Sequence, residues 1–172
     1  MKKQGFTLIE LMVVIVIMGI LAAVAVPKLF GMIAKSKASE VGPAAGTYVK
    51  LQTAYVAEAS QLGTWSTIGY SGPGTNSGSN GGTTGGQTST TTVFDYSDAS
   101  SYTNGTVDLV SGVSLVGWTA ANKVKLNDCA IGSTWTITIG KGAAAGEATY
   151  TAAATDATNC KPLTPSFENI GK

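Results

Sequence analysis

A long apolar run near the N-terminus constrains this chain more than any other feature. From Phe6 to Val26 there are 21 residues, and Glu10 is the one charged residue among them. As a helix, this run would be roughly 31 Å long, which matches a bilayer hydrocarbon core of about 30 Å. The sequence therefore predicts a membrane-spanning helix over residues 6–27.

Glu10 needs an explanation in such a helix. An acidic side chain at the helix centre costs about 2.5 to 3.5 kcal/mol, so it is tolerated near an interface or opposite a cation. The run Thr7-Leu8-Ile9-Glu10 also fits a capping box, in which the Thr7 hydroxyl and the Glu10 carboxylate bind free amides of the first turn. Capping and pairing with a cation are compatible, and both remain open.

The flanks of the run predict its orientation. Lys2 and Lys3 precede it, and the positive-inside rule keeps that end cytoplasmic, with everything after Val26 outside. A cleaved secretory signal peptide is the alternative, because residues 23–25 have the A-x-A form of a cleavage site. Pro27 just after that site and Glu10 inside the apolar core count against it.

Composition argues against several classes of function. All 11 basic residues are lysines, 10 residues are acidic and histidine is absent. Catalytic triads and zinc sites built on histidine are therefore excluded, and no arginine forks are present for nucleic acid. We expect no enzyme, no cofactor, no metal and no nucleic-acid partner. Four aspartates are too scattered for a calcium site: Asp95, Asp98, Asp108 and Asp128.

The rest of the chain predicts an α+β fold. Residues 28–62 form an amphipathic helix ended by Gly63, with an apolar stripe of Tyr48, Leu51, Tyr55, Ala59 and Leu62. A bend or break is expected where Gly42, Pro43 and Gly46 weaken this helix.

Residues 63–92 are expected to be a flexible connecting loop, since 71–92 are almost wholly Gly, Ser, Thr and Asn. Residues 93–172 form the head. Its strands are predicted at 93–96, 106–110, 114–118, 123–126, 134–139 and 148–152, as an antiparallel sheet packed on the amphipathic helix. An oxidising compartment outside the membrane would favour one disulfide between Cys129 and Cys160. The alternative is two unpaired thiols in the core.

The residues Lys2-Lys3-Gln4-Gly5-Phe6-Thr7-Leu8-Ile9-Glu10 closely resemble the processing site of type IV prepilins. The resemblance implies a leader of residues 1–5, which a prepilin peptidase removes by cutting after Gly5. The same enzyme would N-methylate the new terminus at Phe6. Glu10 would then pair with the terminal amine of a neighbouring subunit during assembly.

The resemblance continues at Gly19 and Pro27, where many pilins place helix-weakening residues. We hypothesise that residues 19–26 become extended in an assembled filament, whereas an isolated subunit keeps a continuous helix with a proline kink. The resemblance is specific over residues 1–37 and only architectural beyond them. Beyond residue 37, the resemblance implies a disulfide that ties the C-terminal segment to the sheet, as in many pilins.

The resemblance implies a structural subunit of a surface filament used for adhesion or twitching motility. Its expected partners are identical subunits, the prepilin peptidase and the inner-membrane assembly machinery. It would lie in the bacterial inner membrane before assembly and in an extracellular pilus afterwards. One alternative is the major pseudopilin of type II secretion. Another is a secreted carbohydrate-binding module that stacks Trp65, Trp118 or Trp135 on sugar rings.

Overall fold

A computed structural model describes residues 5–77, 85–99 and 101–172. Two helices come first, α1 (Leu8–Ala38) and α2 (Val41–Ala59). Eight strands follow: β1 (Gln61–Gly63), β2 (Thr75–Ser77), β3 (Thr88–Thr90), β4 (Phe94–Asp98), β5 (Thr106–Asp108), β6 (Ser114–Asn122), β7 (Thr134–Lys141) and β8 (Ala148–Ala154). The 3-10 helices Lys161–Leu163 and Phe167–Asn169 end the chain. This is the predicted α+β fold.

Helix α1 stands largely clear of the rest of the protein. Its buried residues are Ala34 and Ala38, at its C-terminal end. The helix runs without interruption through Gly19 and Pro27, as expected for an isolated subunit. Within the described residues, the helical stretch Leu8–Ala59 is the one long and apolar enough to cross a membrane, judged by length and composition.

A helix break is present, but it lies between α1 and α2 at Ser39 and Glu40, just before the predicted position at Gly42, Pro43 and Gly46, which belong to α2. Pro43 explains its position, because a proline has no backbone N–H to donate to the carbonyl four residues earlier, that of Ser39. The end of α2 was predicted three residues too late. Ser60 takes a left-handed conformation with φ of 53°, and Leu62 lies in β1, where it pairs with Val107.

The buried face of α2 differs from the predicted stripe. Tyr48 is buried, but Leu51 and Tyr55 are half-buried and Ala59 is exposed. The buried residues of α2 are Val41, Ala44, Ala45, Tyr48, Val49, Gln52 and Val56. The prediction missed Gln52 because an amide was assumed to face water, whereas its amide is placed to bond the backbone N–H and carbonyl of Gly63, each at 3.0 Å.

Six strands form one antiparallel sheet in the order β2-β3-β4-β6-β7-β8, and β1 pairs with β5 in a separate ribbon. One face of the large sheet is aromatic and aliphatic and forms the core with α2; its fully buried side chains include Phe94, Tyr96, Trp118, Trp135, Ile137 and Ile139. The opposite face carries short hydroxyl side chains, such as the register-aligned set Thr88, Ser97, Thr119 and Thr136. This alternation confirms that one side of the sheet packs on the helix.

The strand predicted at 123–126 is wrong. β6 continues to Asn122 and ends there, because the Asn122 amide donates to the carbonyls of Val124 and Ala130 at 2.9 and 2.8 Å and folds the following residues into turns. Leu126 forms an isolated bridge with Cys129.

The connecting loop predicted at 63–92 also needs correction. Its described part contains β2 and β3, which extend the large sheet beyond β4. Their Thr, Ser and Asn side chains show no hydrophobic alternation, but the backbone pairing of β2 with β3 and of β3 with β4 does not require one. Residues 78–84 of this loop lie outside the described residues.

The predicted disulfide is present between Cys129 and Cys160, and both residues are fully buried. It joins the turn after Leu126 to the residue that precedes the first 3-10 helix. The C-terminal segment is therefore tied back to the sheet, as the resemblance implied.

Candidate functional site: the N-terminal segment

The start of α1 carries the capping box predicted from the sequence. The Glu10 Oε2 atom accepts hydrogen bonds from the Thr7 backbone N–H at 2.8 Å and from the Thr7 hydroxyl at 2.6 Å. The Glu10 N–H donates in return to the Thr7 hydroxyl oxygen at 3.4 Å. The reciprocal bonds define Thr7 as the N-cap and fix the first residue of the helix at Leu8.

The capping box uses only half of the Glu10 carboxylate. Within the described part of the chain, Oε1 has no hydrogen-bond partner, and the side chain is exposed. An exposed carboxylate oxygen on an apolar helix surface is an acceptor for a cation from another molecule. The first-turn position also suits a negative charge, because the helix N-terminus is electropositive.

Gly5 and Phe6 precede the helix. Neither belongs to a regular element, both are exposed, and no atom of the described residues lies where a Gly5 side chain would begin. The Gly5–Phe6 peptide bond therefore lies on the exposed surface of the protein. Lys2, Lys3 and Gln4 of the predicted processing motif lie outside the described residues.

The surface of α1 is a continuous exposed apolar layer. Every large hydrophobic side chain from Phe6 to Ile33 is exposed, including Leu8, Leu11, Ile15, Met18, Leu21, Val24 and Leu29. Soluble monomers rarely expose so large an apolar surface. This surface needs a lipid bilayer or other protein surfaces around it.

All three tryptophans are core residues, which contradicts the proposed stacking on sugar rings. Trp65 is 1% exposed, and Trp118 and Trp135 are fully buried. Their indole N–H groups donate hydrogen bonds inside the core, to the Gly117 carbonyl, the Tyr70 hydroxyl and the Thr164 hydroxyl, respectively. None presents a ring face to a ligand.

Sequence reasoning missed a buried carboxylate at Asp98. It accepts hydrogen bonds from the backbone amides of Trp65 and Ala99 at 2.9 and 2.8 Å and from the Tyr102 hydroxyl at 3.3 Å. Burial raises the pKa of Asp98 to about 7, and the bonds from the two amides partly oppose that rise. Asp98 thereby ties the loop after β1 to the end of β4, which is a structural role. Among the described residues, no three His, Cys, Asp or Glu side chains cluster as a metal site would require.

The fold and the N-terminal segment together define a class: proteins with an α+β head and a long, exposed apolar helix at the N-terminal end. Residues 1–26 match the family model described as the prokaryotic N-terminal methylation motif. The chain is 56% identical over 39 residues to the type IV major pilin protein PilA of Myxococcus xanthus (strain DK1622), which is 23% of this chain and 18% of PilA.

Two further relatives agree. The type IV major fimbrial protein FimA of Dichelobacter nodosus is 56% identical over 39 residues, covering 23% of this chain and 25% of FimA. The fimbrial protein EcpC of Eikenella corrodens is 54% identical over 44 residues, covering 26% of this chain and 29% of EcpC. The chain thus spans less than a third of the length of the curated relatives it matches, and no solved structure matches it. The methylation motif and these relatives support a type IV pilin.

Proposed function

We propose that this chain is the precursor of a type IV pilus subunit that polymerises through α1 into a surface filament. The observation that carries this proposal is the N-terminal segment, in which an exposed Gly5–Phe6 bond is followed by Glu10 and by an apolar helix that the other described residues leave exposed. In the proposed pathway, a prepilin peptidase cuts after Gly5 and N-methylates Phe6.

The chemistry of the cut explains why Glu10 is useful. Cleavage creates an ammonium at Phe6, and the Glu10 carboxylate of a neighbouring subunit is its proposed partner. Inside an apolar layer this attraction is weakly screened, so it selects the axial register at which subunits join. Oε2 stays with Thr7, whereas Oε1 is available for the neighbour's amine.

The helix surface then has two successive environments. In the precursor, residues 6–27 cross the inner membrane with the N-terminus in the cytoplasm, held by the assembly machinery. In the filament, the same surface is buried among the helices of identical subunits and the heads form the outer layer. Adhesion and twitching motility are the proposed uses of the filament, with no catalysis by the subunit. Residues 19–26 are proposed to become extended there, around Gly19 and before Pro27.

Point variants separate the two roles of Glu10. We expect Glu10→Ala to leave processing and membrane insertion intact but to abolish or strongly reduce filaments, because the intermolecular pair is lost. Thr7→Ala removes only the capping hydroxyl, a change of about 1 kcal/mol in helix stability, so filaments should persist. Glu58→Ala, an exposed acidic residue of α2, is the matched charge control.

The readout is the amount of subunit in sheared filaments against the amount in membranes. Normal filaments with Glu10→Ala would refute the pairing role. Equal loss with Thr7→Ala and Glu10→Ala would show that capping is the only role. Processed wild-type subunit confined to membranes would favour the major pseudopilin of type II secretion instead.

A further inference from the structure

The turn between α1 and α2 carries a carboxylate that accepts hydrogen bonds from side chains of the sheet. Glu40 lies in this turn. Its Oε1 atom accepts hydrogen bonds from the Thr91 hydroxyl at 2.8 Å and from the Tyr96 hydroxyl at 2.9 Å. Both donors belong to the β3–β4 hairpin, more than 50 residues away in sequence. These bonds therefore join the helix junction to the sheet.

Both donors are rigidly placed. The Thr91 hydroxyl oxygen accepts the amides of Val93 and Phe94 at 3.2 and 3.0 Å, which fixes its position in the hairpin turn. The Tyr96 ring is fully buried between the rings of Phe94 and Trp118. Burial above all, and then the bond to Glu40, raise the pKa of Tyr96 above its usual range. Its hydroxyl accordingly keeps the proton that it donates.

The helical backbone conformation of Ser39 and Glu40 also joins α1 to α2, but the other restraints on the direction of α1 are weak. Pro43 weakens the junction by removing the bond to the Ser39 carbonyl, and α2 has no side-chain cap. On α1 itself, Ala34 and Ala38 are buried, and the 3-10 helix Lys161–Leu163 lies against its end. Small alanine contacts and one short helix allow rotation more readily than two hydrogen bonds to a fixed hairpin do.

A small rotation at this junction has a large effect at the far end of α1. With 31 residues at about 1.5 Å each, α1 is roughly 46 Å long. A rotation of about 10° at its base would displace the start of the helix by roughly 8 Å. That displacement exceeds the reach of a salt bridge, so it would misplace Glu10 relative to a neighbouring subunit.

We propose that Glu40 is a positioning residue that latches the helical stem to the head and so presents α1 in one fixed direction. Its effect on filament assembly rests on the proposed function; the latch itself does not. The Glu40 latch, meaning Glu40 with Thr91 and Tyr96, was not indicated by the sequence, where Glu40 is one more acidic residue of a solvated helix.

The latch is tested by a distance measurement on the full chain in detergent micelles under non-reducing conditions. Spin labels are attached at Ala23→Cys on α1 and Thr151→Cys on β8, both exposed positions, and the label-to-label distance is measured by pulsed EPR. We expect one narrow peak for the parent chain and loss of that peak with Glu40→Ala. Glu40→Gln should restore it, because the amide oxygen still accepts both hydroxyls. Glu58→Ala is the control and should leave it unchanged.

Two results would overturn the latch: a narrow peak that survives Glu40→Ala, or one that Glu40→Gln fails to restore. If Glu40→Ala changes tryptophan fluorescence and so perturbs the fold, Tyr96→Phe combined with Thr91→Val replaces it. That pair removes both donors, and it should also abolish the narrow peak. An unchanged peak in the pair would equally refute the latch.

Filaments sheared from producing cells test the consequence. Glu40→Ala should reduce them and Glu40→Gln should rescue them. Normal filaments from a chain whose EPR peak is lost would refute the claim that stem direction matters for assembly. Absence of filaments from the parent chain would refute the proposed function instead, while leaving the EPR result in place.

Discussion

Replacing Gly117 with alanine is expected to destabilise the head, because this glycine lies against the inner side of α2. It sits where the pairing of β6 with β7 shifts register, between Val116 and Trp118. A Cβ atom at this position would lie 2.1 Å from the Tyr48 hydroxyl oxygen and 2.8 Å from Ile139 Cδ1. Tyr48 and Ile139 are fully buried, so neither can move aside freely. Overpacking of this kind costs about 1 to 3 kcal/mol.

A second substitution should relieve the clash. The Tyr48 hydroxyl is buried and lies near Tyr102 and Asp98. Within the described residues, it forms a hydrogen bond with neither of them. Tyr48→Phe removes the oxygen that an alanine at 117 would strike. By itself it should change stability by less than about 1 kcal/mol, because no formed hydrogen bond is lost.

The assay is urea unfolding of the full chain in detergent, followed by tryptophan fluorescence. All three tryptophans are buried in the core between α2 and the sheet, so the signal reports unfolding of this core and not of the exposed part of α1. We expect the double variant Gly117→Ala with Tyr48→Phe to be more stable than Gly117→Ala alone, with a coupling of about 1 kcal/mol or more. Additive effects, or a large loss from Tyr48→Phe alone, would refute the reasoning.

Two further predictions concern the head. Burial raises the pKa of Asp98 from its usual value of 3.8 to about 7, so the folded head binds a proton more tightly than the unfolded chain. The resulting stabilisation is complete below pH 3.8, is lost as the pH rises to about 7, and does not change further above that pH. Urea unfolding at a series of pH values should show this fall, and Asp98→Asn should abolish it; a slope that persists would contradict the assignment. Reducing the Cys129–Cys160 disulfide opens a loop whose ends are 31 residues apart, which should lower the free energy of unfolding by roughly 3 to 4 kcal/mol. An unchanged urea midpoint after reduction would contradict that value.

The features that the sequence predicted correctly depend on local patterns. The apolar run predicted α1, and the spacing from Thr7 to Glu10 predicted the capping box. Gly42, Pro43 and Gly46 predicted a helix break, which lies two residues before Gly42. The alternation of Trp135, Ile137 and Ile139 predicted the buried face of β7. Each of these patterns lies within a few residues, so its physical cause is visible without knowledge of the fold.

The features that were missed depend on residues far apart in sequence. β2 and β3 are strands because their backbones pair at the edge of the sheet, which their polar side chains do not indicate. Gln52 is buried because Gly63 accepts its amide. Asp98 and Glu40 acquire their roles from donors that the fold brings to them. Charge and hydropathy alone assign such residues to the solvent.

The mass of the N-terminal peptide of protein sheared from producing cells tests the central claim most directly. Our account predicts a chain that begins at Phe6 with one added methyl group and retains the whole of α1. A chain that begins at Val26 would indicate a conventional signal peptide. A sheared chain that still carries residues 1–5 would also contradict the account, because the ammonium proposed to pair with Glu10 would then not exist.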